Sequence, residues 1–211
     1  MGRLGKGDKM TEKGLEFTND YTDAVFLGIG GCGINTISRL RKSGVKGIRT
    51  LCISRFKEEL LVEGENVVNF ALLGKKADPE RYLRSKSPVS LEERADAEKR
   101  IRETVKGAKK VLLFAGLGGF TGTAIVPVAA SVTKAEGATL GMVLTYPFKL
   151  ERKRCEAAEK SCPELQKLAD ECILMKNDDL AQTFREMPLN DAFKLRDMKI
   201  ADAIRAGGKR E

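Results

Sequence analysis

Residues 110–137 read KVLLFAGLGGFTGTAIVPVAASVTKAEG. KVLLFAGL (110–117) is a short apolar run ending in glycines, the pattern of a buried strand. TAIVPVAASVTKAEG (123–137) reads as a helix, with Pro127 expected in its first turn, where a missing N–H costs little. Between them runs Gly116-Leu117-Gly118-Gly119-Phe120-Thr121-Gly122-Thr123-Ala124. Glycines at such a strand-to-helix junction let the backbone approach a phosphate and aim its N–H groups at it. The next helix adds the partial positive charge of its N-terminus. Thr121 and Thr123 bring hydroxyls that can reach phosphate oxygens or Mg²⁺. A Walker loop would carry Lys after the glycines, and none is present.

A second junction of the same kind lies upstream. AVFLGI (24–29) is another short apolar run, and Gly28-Ile29-Gly30-Gly31-Cys32-Gly33 follows it. Ile34, Ile37 and Leu40 then recur at helical spacing, and Gly44 stops the helix. Alone, Gly28, Gly30 and Gly33 match the dinucleotide fingerprint. Ser54 and Arg55 end the second strand about 20 residues on, and a basic residue there suits the 2′-phosphate of NADP. This loop by itself therefore fits a Rossmann oxidoreductase, another nucleotide fold, or a tight turn with no ligand. The pair of loops decides among them. A Rossmann half has no use for a second phosphate loop with two threonines, whereas a nucleoside triphosphate can be held from two sides.

Working outward, further strands are expected at 48–54, 66–70, 138–148 and 171–177. Helices are expected at 91–107, 150–170 (interrupted at Pro163), 178–186 and 189–206. Residues 71–90 read as loop and 1–20 as a disordered tail. Alternating strands and helices predict a three-layer α/β domain with a mostly parallel sheet. Ligands in such sheets sit at the carboxyl ends of the strands, where both glycine loops fall.

Composition narrows the function classes. The 211 residues hold no His and five Cys without metal-ligand spacing, which removes His-based catalysis and Cys/His metal sites. Free thiols fit a reducing cytosol, and a cytoplasmic location is expected. No apolar run reaches the roughly 18 residues of a membrane span. The polar N-terminus has no signal-peptide character. The net charge of +8 invites a nucleic-acid partner, but basic and acidic residues interleave, as in LEERADAEKRIRETVKGAKK, and no basic-aromatic cluster occurs. That pattern reads as solvated helix faces, and nucleic-acid binding is not expected.

The motifs together resemble the FtsZ/tubulin family, in the right order from about residue 20 to 205. GIGGCGINTISRL (28–40) resembles the first phosphate loop of FtsZ, and AGLGGFTGTAIVPVAA (115–130) the tubulin signature with its flanks. GATLGMVLTYPFKLERKR (137–154) resembles the next strand and the ribose-contacting loop. MKNDDL (175–180) resembles the loop carrying a guanine-contacting Asn, and MPLNDAFKLRD (187–197) the start of the central helix. The resemblance implies a GTP/GDP site, with Mg²⁺ possible through the nucleotide. Its residues would be Gly30, Gly31, Cys32, Gly33, Ile34 and Asn35 from the first loop, then Gly118, Gly119, Thr121, Gly122, Thr123 and Ala124 from the second. Glu151 and Arg154 would lie at the ribose. Asn177, Phe193 and Asp197 would lie at the base. Phe193 and Asp197, four apart on a helix, share a face. An aromatic ring can stack on a purine, and a carboxylate can accept from guanine N1–H and N2–H, a donor pair adenine lacks. Read without the resemblance, Phe193 is a core residue and Asp197 a solvated one.

Several positions depart from the family. Phe120 and Ala124 replace signature glycines, and KKADPERYLRSKSPVS (75–90) stands where a glycine-rich γ-phosphate loop is expected. Ser54 and Phe56 replace a polar Asn and Asp, and Cys155 an expected Arg, with Arg154 beside it as a substitute. The sequence stops at Glu211, so the catalytic loop and second domain of FtsZ are expected to be absent. In the last helix Leu189, Ala192, Phe193, Ile200, Ala203 and Ile204 form an apolar arc with Arg196 inside it. The opposite face carries Asp191, Lys194, Lys199, Asp202 and Arg205, which favours a self-sufficient domain over a truncated product. The leading expectation is a guanine-nucleotide-binding assembly module, a poor GTPase alone, that pairs with or caps filaments of a full-length FtsZ homologue. The alternatives are a GTPase completed by a partner's loop, an NADP-dependent oxidoreductase, and a remnant that binds nothing.

Overall fold

In the computed structural model the described residues are 23–72, 89–183 and 186–207. The expected N-terminal tail and nearly all of the 75–90 segment lie outside them. The strands are β1 (Ala24–Ile29), β2 (Arg49–Ser54), β3 (Val67–Ala71), β4 (Lys110–Gly116), β5 (Thr139–Tyr146) and β6 (Glu171–Lys176). The helices are α1 (Gly30–Lys42), α2 (Leu91–Val105), α3 (Phe120–Ala135), α4 (Arg152–Leu168), α5 (Asn177–Thr183) and α6 (Leu189–Gly207). All strand pairs are parallel, in the order β3-β2-β1-β4-β5-β6.

The central strands are apolar throughout because both faces are covered. Val25, Leu27 and Ile29 of β1 pack with Ile101 of α2, Ile125 and Ala129 of α3 and Leu165 of α4. Phe26 points to the other face, against Ile34, Ile37 and Leu40 of α1 and Ile200 of α6. Phe26 and Phe114 meet there edge to face, with ring centroids 5.4 Å apart. The result is the expected three layers.

Two helices differ from expectation. α3 starts at Phe120, three residues early, so Pro127 sits at mid-helix rather than in the first turn. α4 runs through Pro163 without a break. Each proline removes a backbone bond. Buried neighbours, Val126 and Ala129 in α3 and Cys162 and Leu165 in α4, hold both helices against the sheet. α2 begins with a capping box in which the Ser90 hydroxyl accepts from the Glu93 amide and the Glu93 carboxylate accepts from the Ser90 amide.

The topology positions the site. β1 and β4 are neighbours, with Ile29 opposite Ala115. The chain leaves β1 toward β2 and leaves β4 toward β5, so the two glycine loops flank the crevice where the strand order reverses.

Candidate functional site

A pocket of about 190 Å³ opens at the carboxyl ends of β1, β4 and β5. The first loop contributes Gly30, Gly31 and Cys32, and the second Gly119, Thr121 and Gly122. Thr145, Glu151, Arg154 and Asn177 close the far side. Gly30 adopts φ +69°, a conformation that admits glycine readily, as the chain turns from β1 into α1. Beside Gly119 a Cβ would meet only Arg154 Nη2 at 3.9 Å, so this stretch of backbone is open to the pocket.

The other glycines serve packing. A Cβ on Gly33 would overlap the carbonyl oxygen of Phe114, and one on Gly122 the carbonyl oxygen of Gly116. These contacts seat α1 and α3 against β4. Gly118, at φ +78°, backs onto Arg154, and its amide donates to the Thr123 hydroxyl at 3.1 Å. Thr123 thus braces the loop, while Thr121 faces the pocket. Ile34 and Ala124 are core residues and Asn35 is exposed on α1.

Glu151 accepts from the Phe148 amide at 3.1 Å and from Arg154 Nη1 at 2.5 Å, which holds both side chains at the rim. The neighbouring Cys155 turns away, its thiol donating to the Phe148 carbonyl at 3.2 Å. Asn177 opens α5 directly after β6. Its Oδ1 is buried with no hydrogen-bond partner. An unpaired buried acceptor costs about 1–3 kcal/mol, so this atom is poised for a donor from the pocket.

Phe193 and Asp197 lie beyond the lining just described. Asp197 is not solvated: its carboxylate is fully buried. It accepts from Thr36 at 3.2 Å, from Arg39 at 2.6 Å and from two nitrogens of Arg196. Phe193 is half-buried beneath the Arg196 guanidinium. Thr145 connects this cluster to the pocket, taking bonds from Cys32 Sγ at 3.5 Å and from Arg196 Nη1 at 3.4 Å.

Sequence reasoning missed Glu59. It follows β2, lines the pocket, and its carboxylate accepts a short hydrogen bond from Ser54. A Cβ on Gly31 would meet that carboxylate. The available signal was position, since β2 lies beside β1 and the turn after it must approach the first glycine loop.

Residues 23–185 match the family described as "Tubulin/FtsZ family, GTPase domain". The chain belongs to the tubulin/FtsZ family. Cell division protein FtsZ 2 of Methanocaldococcus jannaschii is 36% identical over 184 residues, covering 86% of this chain and 47% of that protein. FtsZ 2 of Haloferax volcanii is 34% identical over 206 residues, covering 95% of this chain and 50% of its own length. An empty FtsZ dimer of M. jannaschii superposes with a TM-score of 0.71 at 30% identity, over 87% of this chain and 53% of that one. The chain thus spans about half the length of these FtsZ relatives. Family membership removes the oxidoreductase reading, although the strand order is the Rossmann order. The residue offered for a 2′-phosphate, Arg55, is buried in an ion pair with Glu93 at 3.3 Å. Among the described residues no helix is long and apolar enough to cross a membrane.

Proposed function

We propose that this chain binds GTP or GDP in the crevice between its two glycine loops. The observation that carries the reading is the orphaned Oδ1 of Asn177, an acceptor at the far end of a glycine-lined cradle. The first and second loops would receive the phosphates, with Thr121 beside them and Mg²⁺ arriving on the nucleotide. Glu151 and Arg154 suit the ribose, and Asn177, Phe193 and Asp197 the base. Guanine supplies N–H donors that the unpaired amide oxygen can accept and that the Asp197 carboxylate can accept in place of a present partner.

The 211-residue chain alone is proposed to hydrolyse GTP poorly and to act with a full-length FtsZ homologue in the cytoplasm. Among the described residues, the two acidic side chains that line the pocket are already engaged, Glu59 by Ser54 and Glu151 by Arg154. Neither stands free to activate water. The M. jannaschii FtsZ structure is a dimer, which supports association with a relative as the way to complete a site.

Titration calorimetry with GDP, ADP and NADPH tests the reading. GDP should bind best. Asn177→Ala should leave thermal stability unchanged or raised, since Oδ1 has no partner to lose and its unpaired burial is relieved, and should weaken GDP about 5- to 30-fold. Better binding of ADP or NADPH, or an Asn177→Ala protein that holds GDP like wild type, would sink it.

A further inference from the structure

Arg196 sits on α6 one residue before Asp197, and only 8% of its side chain is exposed. Adjacent helix positions point about 100° apart and do not ordinarily face each other. Arg196 nevertheless folds back. Its Nε and Nη2 both donate to Asp197 Oδ1, at 3.0 and 2.8 Å. Its Nη1 reaches Thr145 at 3.4 Å and its Nη2 reaches Thr36 at 3.4 Å. Its Cζ lies 5.1 Å from the centroid of the Phe193 ring. The other carboxylate oxygen of Asp197 is held by Arg39.

A guanidinium is planar, stacks on aromatic faces and presents adjacent N–H donors to a carboxylate. Guanine does the same with its ring plane and its N1–H and N2–H edge. Arg196 therefore makes, within the chain, both contacts assigned above to the base. We infer that Arg196 is an internal competitor for the guanine base, and that the base engages Phe193 and Asp197 only when Arg196 swings out. The inference rests on the assignment of those two residues to the base. It adds a regulatory element to the same site: affinity and base discrimination are both held down by the side chain that occupies it. Arg196 touches the pocket-lining Thr145, so the competitor stands directly behind that wall of the pocket.

The test uses the 211-residue chain as wild type, Arg196→Met and Arg196→Lys, titrated with GDP, IDP (which lacks the 2-amino group) and ADP. Arg196→Met keeps bulk and removes the donors. It should bind GDP about tenfold more tightly than wild type, the order of one charge-assisted competitor, and discriminate GDP from IDP more sharply. Its affinity for ADP should not change. Arg196→Lys keeps the charge but neither the planar stack nor the paired donors, and should tighten GDP by a smaller factor. If Arg196→Met does not fold, Arg196→Lys decides: tighter GDP binding supports the competitor, and equal or weaker binding overturns it. GDP preferred over ADP by every protein, with no gain from either substitution, overturns the competitor and leaves the base assignment standing. No preference for GDP over ADP in any of them overturns both.

Discussion

The α-carbon of Gly33 lies so close to the Phe114 carbonyl oxygen that a methyl group there would overlap it. The obstacle is strand backbone at the centre of the sheet, which has nowhere to go. Gly33→Ala should therefore lose about 3 kcal/mol, the upper end of overpacking costs, measured by chemical denaturation. At Gly31 the obstacle is only the Glu59 side chain, which can swing away. Gly31→Val should keep a cooperative melt and lose nucleotide binding by crowding the phosphate approach. The two glycines then separate packing from ligand contact. A Gly33→Ala protein as stable as wild type would contradict this.

Glu59 places a carboxylate against Gly31, where the phosphates are proposed to approach. Two like charges about 4 Å apart repel by about 1 kcal/mol even at the dielectric of water. Glu59→Gln should tighten GDP about fivefold, more at low salt, and leave guanosine unchanged because it carries no phosphate. Equal gains for both ligands would show that Glu59 acts on shape and not on charge.

Burial pushes the Cys52 thiol up from 9.0 to about 12, against a smaller lowering by Arg41, and burial pushes Cys172 up to about 11. In the folded protein both stay protonated where the unfolded chain ionises. Above about pH 9 the unfolded state binds fewer protons, so stability falls as pH rises. The contribution is intact below pH 9 and lost progressively between 9 and about 12 for Cys52. Melting temperatures at pH 8, 9 and 10 should decline across the series. The decline should be smaller in Cys52→Ala once its lower starting stability is subtracted.

Phosphate release by the isolated chain should be slow, because Glu59 and Glu151 at the described pocket are both engaged and a general base commonly supplies about 10²–10⁴ in rate. Release should rise on mixing with a full-length FtsZ homologue whose nucleotide-binding face is free. Turnover that grows with the concentration of this chain alone and reaches the rate of the mixture would place a catalytic group within its 211 residues.

The strands that carry the site were legible because β1 and β4 are buried on both faces and read as unbroken apolar runs. The start of α3 was not. Phe120, Thr121 and Gly122 read as loop, yet they form the first turn, with Gly122 required by its contact with the Gly116 carbonyl. Pro127 and Pro163 marked helix edges by propensity, but packing against the sheet outweighs it. Arg196 stood out as a charge inside an apolar arc, and its burial explains the anomaly. Its partners Thr36 of α1 and Thr145 of β5 are far away in sequence, and no local pattern connects them. Glu59 was missed because its approach to Gly31 follows from β2 lying beside β1, and a reading of each segment alone does not connect the two. The arc members Ala203 and Ile204 lie outside the residues whose side chains are described.

The order of strands also sets a timetable for synthesis. β1 pairs with β2 on one side, but on the other Ala24 waits for Lys110, and the second glycine loop comes later still. A nascent chain that has emerged only through β3 carries an apolar β1 edge open to wrong partners. At about 5–20 residues per second the stretch from Ala71 to Lys110 takes roughly 2–8 s. Nucleotide has nothing to bind until it ends, so chains arrested before β4 should be protease-sensitive with or without GDP. Chains arrested once α6 is exposed should gain protection from the same nucleotide.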